Sequence, residues 1–185
     1  MAHFIVGLKM LISMVSIIVG TNRADSKSSA LAKIYRDGLL SRNVESQILE
    51  LKDLPSDFIF SECFGNRTSE YQKLLDQYIV SAEKFVFILP EYHGGFPGIA
   101  KSFLDSFSGE LIKGKYAALV GLSAGRAGNL RGLDAYAGVL GYLQVEVLAN
   151  RPKLSQIEDL LNGSDLKDEE YIARLNRQMD QLVSI

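Results

Sequence analysis

The chain has 185 residues, 47% of them apolar, enough for one compact domain with a substantial core. Twenty basic against twenty-two acidic residues leave a net charge of −2, far from the basic footprint that DNA, RNA or an anionic membrane would call for. One cysteine, Cys63, cannot form an internal disulfide and two histidines are too few for the usual zinc sites, so no metal is expected and a reducing cytoplasm is the expected compartment.

In chain order, the first twenty residues "MAHFIVGLKMLISMVSIIVG" are apolar, but Lys9 interrupts them and no A-x-A-like site ends them. A membrane span wants about twenty uninterrupted apolar residues and a signal peptide wants a basic start, so neither is expected. Residues 1–13 are read as an N-terminal extension of unknown role, and 14–185 as the domain. Strand-like segments follow at 14–19, 44–51, 84–89, 115–121 and 143–148, with helical patterns between them. That alternation predicts a parallel sheet with helices on both faces. Leu31, Ile34, Tyr35 and Gly38 form one helical stripe; Tyr71, Leu74, Leu75, Tyr78 and Ile79 form another, and both are expected to face a core. The segments 44–51 and 143–148 carry Glu45, Gln47, Glu50, Gln144 and Glu146 among their apolar residues, as edge strands do. Of the two common doubly wound orders, 2-1-3-4-5 puts these at the edges, so a five-stranded sheet of that order is predicted. At the end of the chain, Ile172, Leu175, Met179 and Leu182 predict a helix that either packs on the domain or forms a dimer seam.

In such a sheet, ligands bind where the strand order reverses, at the loops leaving neighbouring strands. The first loop, "GTNRADSKSS", offers Thr21, Ser26, Ser28 and Ser29 hydroxyls with Arg23 and Lys27 just before a helix, which suits a phosphate. It lacks the signatures of a P-loop and of a dinucleotide loop, which leaves a mononucleotide phosphate, or serines that merely cap the helix. The second loop, "PEYHGGFPG", combines glycines that permit close backbone approach with Tyr92 and His93 placed to flank a ring; the alternative is a tight turn with Pro97 opening a helix. Lys101 and Asp105 after it are a solvated i, i+4 pair. The third loop contains "GLSAG", the G-x-S-x-G pattern of a hydrolase elbow. Both histidines, His3 and His93, precede Ser123, whereas that fold places its base downstream, so an acylating role for Ser123 is not expected; the alternative is His93 serving as base from the neighbouring loop in another chain order. Ser123, Ala124 and Gly125 are instead expected to offer backbone amides to the polar edge of a ring.

The chain from about 14 to 150 resembles the NADPH-dependent FMN reductase family, flavodoxin-like proteins that include quinone, azo-dye and chromate reductases. The likeness rests on "VGTNRADSKSSALA", "ILPEYHGGFPGIAKSFLD" and "GLSAGRAGNLRG", in that order. His93 stands where the family usually has Asn, and Gly95 where it has Ser. The resemblance implies a flavodoxin-like fold and bound FMN, with the phosphate near Thr21, Arg23, Ser26 and Ser28. It places the isoalloxazine against Pro90, Glu91, Tyr92, His93 and Gly94, with Ser123, Ala124 and Gly125 nearby. NADPH or NADH would reduce the flavin transiently, and the electrons would pass to a small acceptor such as a quinone, free flavin, azo compound or metal oxyanion. Because the cofactor carries the chemistry, no catalytic side chain is named, and ping-pong kinetics are expected. The resemblance also implies a homodimer or homotetramer, with the apolar face of 98–108 available to a partner. The alternatives are a non-catalytic flavin-binding electron carrier or sensor, and a scaffold that has lost its flavin.

Overall fold

The computed structural model describes residues 14–64, 67–163 and 165–185. The expected N-terminal extension, 1–13, lies outside the described residues. Five parallel strands, β1 (Val15–Val19), β2 (Ser46–Glu50), β3 (Lys84–Pro90), β4 (Tyr116–Leu122) and β5 (Glu146–Val147), stand in the order β2-β1-β3-β4-β5. This is the predicted flavodoxin-like order.

Strands β1, β3 and β4 are apolar on both sides because both sides are covered. Ile17, Val86, Ile88 and Val120 face one core, under the helices α1 (Lys27–Leu40) and α7 (Glu169–Ser184). Ile18, Phe87, Leu89 and Leu119 face the other, under α3 (Ser69–Leu75), α4 (Gly98–Asp105) and α5 (Leu130–Tyr142). Between β2 and α3 lies one short turn of helix, α2 (Phe58–Ser61).

The fifth strand is shorter than its apolar pattern suggests. β5 pairs with β4 only at Tyr116 and Ala117, and the chain then returns as β6 (Lys153–Leu154), which pairs with Gly121 and Leu122 farther along the same edge. After β6 come α6 (Ile157–Leu160) and a two-stranded hairpin, β7 (Leu161–Asn162) with β8 (Asp165–Leu166). None of β6, α6, β7 and β8 has a repeat long enough to be read from sequence, since each spans two to four residues.

The C-terminal helix packs on its own domain. Its Leu175, Met179 and Leu182 are buried against α1, and Gly38 makes room: a Cβ there would lie 2.6 Å from the Met179 sulfur. Three of the four residues of the predicted stripe are thus buried within the chain, while Ile172 stays exposed. Gln178 fastens this helix to the sheet. Its amide accepts from the Tyr35 hydroxyl and donates to the carbonyls of Leu119 (3.0 Å) and Asn150 (2.6 Å). Burial holds the Tyr35 phenol well above its ordinary range, so it remains a donor. Among the described residues, no helix is long and apolar enough to cross a membrane.

Replacing Gln178 by Leu leaves the Tyr35 hydroxyl and two carbonyls without partners inside the core. The unfolding free energy is expected to fall by about 2–4 kcal/mol, read as a lower denaturant midpoint in equilibrium unfolding.

Candidate functional site

A cleft of ≈ 260 Å³ opens where the carboxyl ends of β1, β3 and β4 meet, at the reversal of strand order. Four segments wall it. The first loop supplies Arg23, Asp25, Ser26, Lys27 and Ser28, the second Pro90, Glu91 and Tyr92, and the third Leu122, Ser123 and Ala124. The fourth wall, Ile157 and Glu158 of α6, was not anticipated.

In the first loop the cap and the spare donor are different serines. Ser26 is the N-cap of α1 and accepts from the Ser29 amide at 3.3 Å. Ser28 is fully buried, and its hydroxyl has no hydrogen-bond partner among the described residues. A buried hydroxyl left unpaired costs roughly 1–3 kcal/mol unless something outside the chain satisfies it. With the α1 amides beside it, the missing partner that fits is an anion. Arg23 is exposed and forms no ion pair with any described residue, while Lys27 lies 3.3 Å from Glu158. Thr21 is buried beneath the loop, where its hydroxyl accepts from the Arg23 amide (3.1 Å) and meets the Tyr92 hydroxyl (2.6 Å).

The second loop turns tightly. Tyr92 and Gly95 exchange backbone hydrogen bonds of 2.9 and 3.0 Å around His93 (φ 52°) and Gly94 (φ 78°), both in the left-handed region. That is the signature of a type I′ turn, whose first central position favours Asn. The departure of His93 from the family's Asn therefore falls on a backbone constraint. The turn carries the His93 side chain into solvent, and neither His93 nor Gly94 lines the cleft.

The third loop answers the hydrolase question. The Ser123 hydroxyl donates to the Gly125 carbonyl (2.8 Å) and accepts from the Gly128 amide (2.9 Å), so it closes its own loop and, among the described residues, bonds to no histidine. Gly125 itself stands back from the cleft lining. Gly128 (φ 57°) packs on β6 so closely that a Cβ would sit 2.7 Å from the Lys153 carbonyl carbon. Cys63 is no substitute nucleophile, because burial pushes its thiol pKa up.

Asn129 joins the second and third loops and escaped the sequence reading. It is fully buried in the left-handed conformation (φ 66°), and its amide donates to the carbonyls of Leu89 (2.9 Å) and Pro90 (3.1 Å). Its backbone N–H donates to the Glu91 carboxylate at 3.0 Å. The available signal was the "GN" pair just before a helix, a frequent site of positive φ. Ile157 and Glu158 gave no signal, since they join the site only because β6 returns the chain to the rim.

The model of the NADPH-dependent FMN reductase family matches residues 13–157. The chain belongs to that family. Its curated relatives include a 2-hydroxy-1,4-benzoquinone reductase of a Burkholderia species, 28% identical over 76% of each chain. An FMN-dependent NADPH-azoreductase of Staphylococcus aureus is 26% identical over 91% of this chain and 92% of its own. Among solved structures, an NADH:FMN oxidoreductase in its apo form superposes with a TM-score of 0.78 at 18% identity, over 94% of this chain and 90% of the other. That last likeness carries the fold. Membership makes the protein an oxidoreductase of the class that works with FMN and a nicotinamide coenzyme, and it does not favour a non-catalytic carrier.

Ser123→Ala leaves the Gly128 N–H without its acceptor. It is expected to cost about 1–3 kcal/mol of stability, while the unaltered protein should resist labelling by a fluorophosphonate. Stoichiometric labelling at Ser123 would restore the hydrolase reading.

Proposed function

We propose that this cleft holds FMN, with the phosphate at the amino end of α1 against Arg23, Ser26 and Ser28, and with the ring across Pro90, Glu91 and Tyr92. Ser123, Ala124 and Gly125 follow the ring edge. Thr21 shapes the phosphate loop from below, and His93 with Gly94 sets the turn that presents Tyr92. The single observation that carries this reading is the buried, unpartnered Ser28 hydroxyl in the wall of the cleft.

FMN held there would supply two-electron redox chemistry between a reduced nicotinamide and an acceptor. The chain's own work is positional. The Thr21–Tyr92 and Glu91–Asn129 hydrogen bonds fix three loops at one rim, and the apolar Pro90, Leu122 and Ile157 keep bulk water from the inner wall. Among the described residues no histidine or thiol lines the cleft, so the wall offers binding groups for a flat, phosphorylated ligand. The acceptor we propose is a small flat molecule such as a quinone or azo compound, the classes named for the relatives; free flavin or a metal oxyanion remains within the same chemistry. A lone, buried Cys63 suits a cytoplasmic protein.

We further propose a homodimer or homotetramer that uses the groove between α4 and α5. Leu104, Phe107, Val139 and Leu143 line it, beside Phe64 and Tyr142, which are 91% and 87% exposed. Side chains of this size are seldom left in water together on a monomer. Ala100, Phe103 and Leu104 of α4, which ends at Asp105 within the expected 98–108 segment, are buried in their own chain, which leaves the groove rather than the whole helix face to a partner. Tyr142→Glu is expected to shift the mass in size-exclusion light scattering toward the monomer; a wild-type monomer at all concentrations would reject the assembly.

Two measurements test the site. NADPH added to FMN-loaded protein should bleach the flavin within the turnover time in stopped flow, and no bleaching would defeat the reductase reading. Ser28→Ala should leave the free protein no less stable, and up to about 1–3 kcal/mol more so, because it removes an unpaired buried hydroxyl, yet weaken FMN about tenfold or more.

A further inference from the structure

Lys27 is the first residue of α1, a position where the helix dipole disfavours a cation, and the first turn of α1 contains no acid. The compensating charge comes from another element: Glu158 of α6, 3.3 Å from the Lys27 amine. Both residues line the cleft that also holds the unpartnered Ser28 hydroxyl. In the free protein, a carboxylate of the chain therefore faces a cation that the same cleft would offer to an external anion.

We propose that Glu158 is a carboxylate latch over the phosphate end of the cleft, which an incoming phosphate must displace from Lys27, so that Glu158 weakens the hold on FMN. This rests on the flavin reading above. Loop and helix are positioned so that only a side chain has to move. The backbone of α6 is pinned to the third loop, with the Gln156 N–H donating to the Gly125 carbonyl (2.8 Å) and the Ile157 N–H to the Ser123 carbonyl (3.0 Å). The Glu158 side chain is 63% exposed and can swing into water, whereas that of Lys27 is 32% exposed and stays at the rim. A phosphate bound beside Ser28 takes over Lys27 and faces the displaced carboxylate. The other charges on the cleft wall are Arg23, which favours the phosphate, and Asp25 and Glu91, of which Glu91 is engaged by the Asn129 amide. The opposition comes from charge near the phosphate alone, so it acts on phosphorylated flavin and spares riboflavin.

The experiment measures dissociation constants of FMN and riboflavin by fluorescence quenching for the unaltered protein, Glu158→Gln, Glu158→Ala and Lys27→Gln. Both Glu158 variants are expected to bind FMN about three- to tenfold more tightly, a gain that shrinks at molar salt, with riboflavin unchanged within about twofold. Lys27→Gln is expected to weaken FMN about as much and to abolish most of the gain from Glu158→Gln in the double variant. An unchanged FMN constant in both Glu158 variants, or an equal shift for riboflavin, overturns the latch and leaves the flavin site standing. Unaltered protein that binds neither flavin overturns the latch and the site together.

Discussion

A buried asparagine amide holds the working rim together. Asn129 spans from the start of α5 to the carbonyls of Leu89 and Pro90, where β3 ends, and its backbone N–H is taken by Glu91. Those two bonds need the Asn129 amide seated at the end of β3, where the ladder with β4 stops. The same need explains Gly132, where any Cβ would fall 2.0 Å from the Asn129 side-chain oxygen. The Thr21–Tyr92 contact ties the first loop to the second in the same way, so three loops that a parallel sheet merely brings near one another become one surface.

On that surface the polar groups divide into those spent on the fold and those left over. Ser26, Thr21, Ser123 and Asn129 each have partners within the chain and give the loops their shape. Among the described residues the Ser28 hydroxyl has no hydrogen-bond partner and the exposed Arg23 no ion pair, and it is on this remainder that the proposed binding site rests. The G-x-S-x-G of the third loop shows the difference well. Its serine is an internal fastener, and its Gly121 makes room for the Gly128 carbonyl and Leu133, a role that the pattern by itself cannot separate from that of an exposed nucleophile.

Much of the fold was legible. Continuous apolar runs at 84–89 and 115–121 marked strands covered on both faces, and the mixed runs at 44–51 and 143–148 marked edges, which set the order of the sheet. Of the twelve residues expected at the site, Arg23, Ser26, Ser28, Pro90, Glu91, Tyr92, Ser123 and Ala124 line one cleft. Thr21 lies under it, and His93, Gly94 and Gly125 belong to the turns beside it. Thr21, His93 and Gly94 differ from the rest for a local reason: full burial of the first and positive φ at the other two aim the residue elsewhere, and neither is written in residue type.

What the sequence by itself determined was periodic or local: which segments alternate, which faces are apolar, and which loops carry hydroxyls, glycines and cations at the strand ends. Tertiary structure alone decided the partners. Thr21 meets Tyr92 across 71 positions and Tyr35 meets Gln178 across 143, while α6 reaches the cleft only because β5 stops short and β6 resumes the edge. A hydrogen bond is satisfied by whichever group lies within about 3 Å in space, and no repeat along the chain encodes that neighbour. For the same reason, Lys27 could be read from sequence as a cation of the first loop, but its pairing with Glu158 of α6 exists only because the fold sets the two 3.3 Å apart at the cleft.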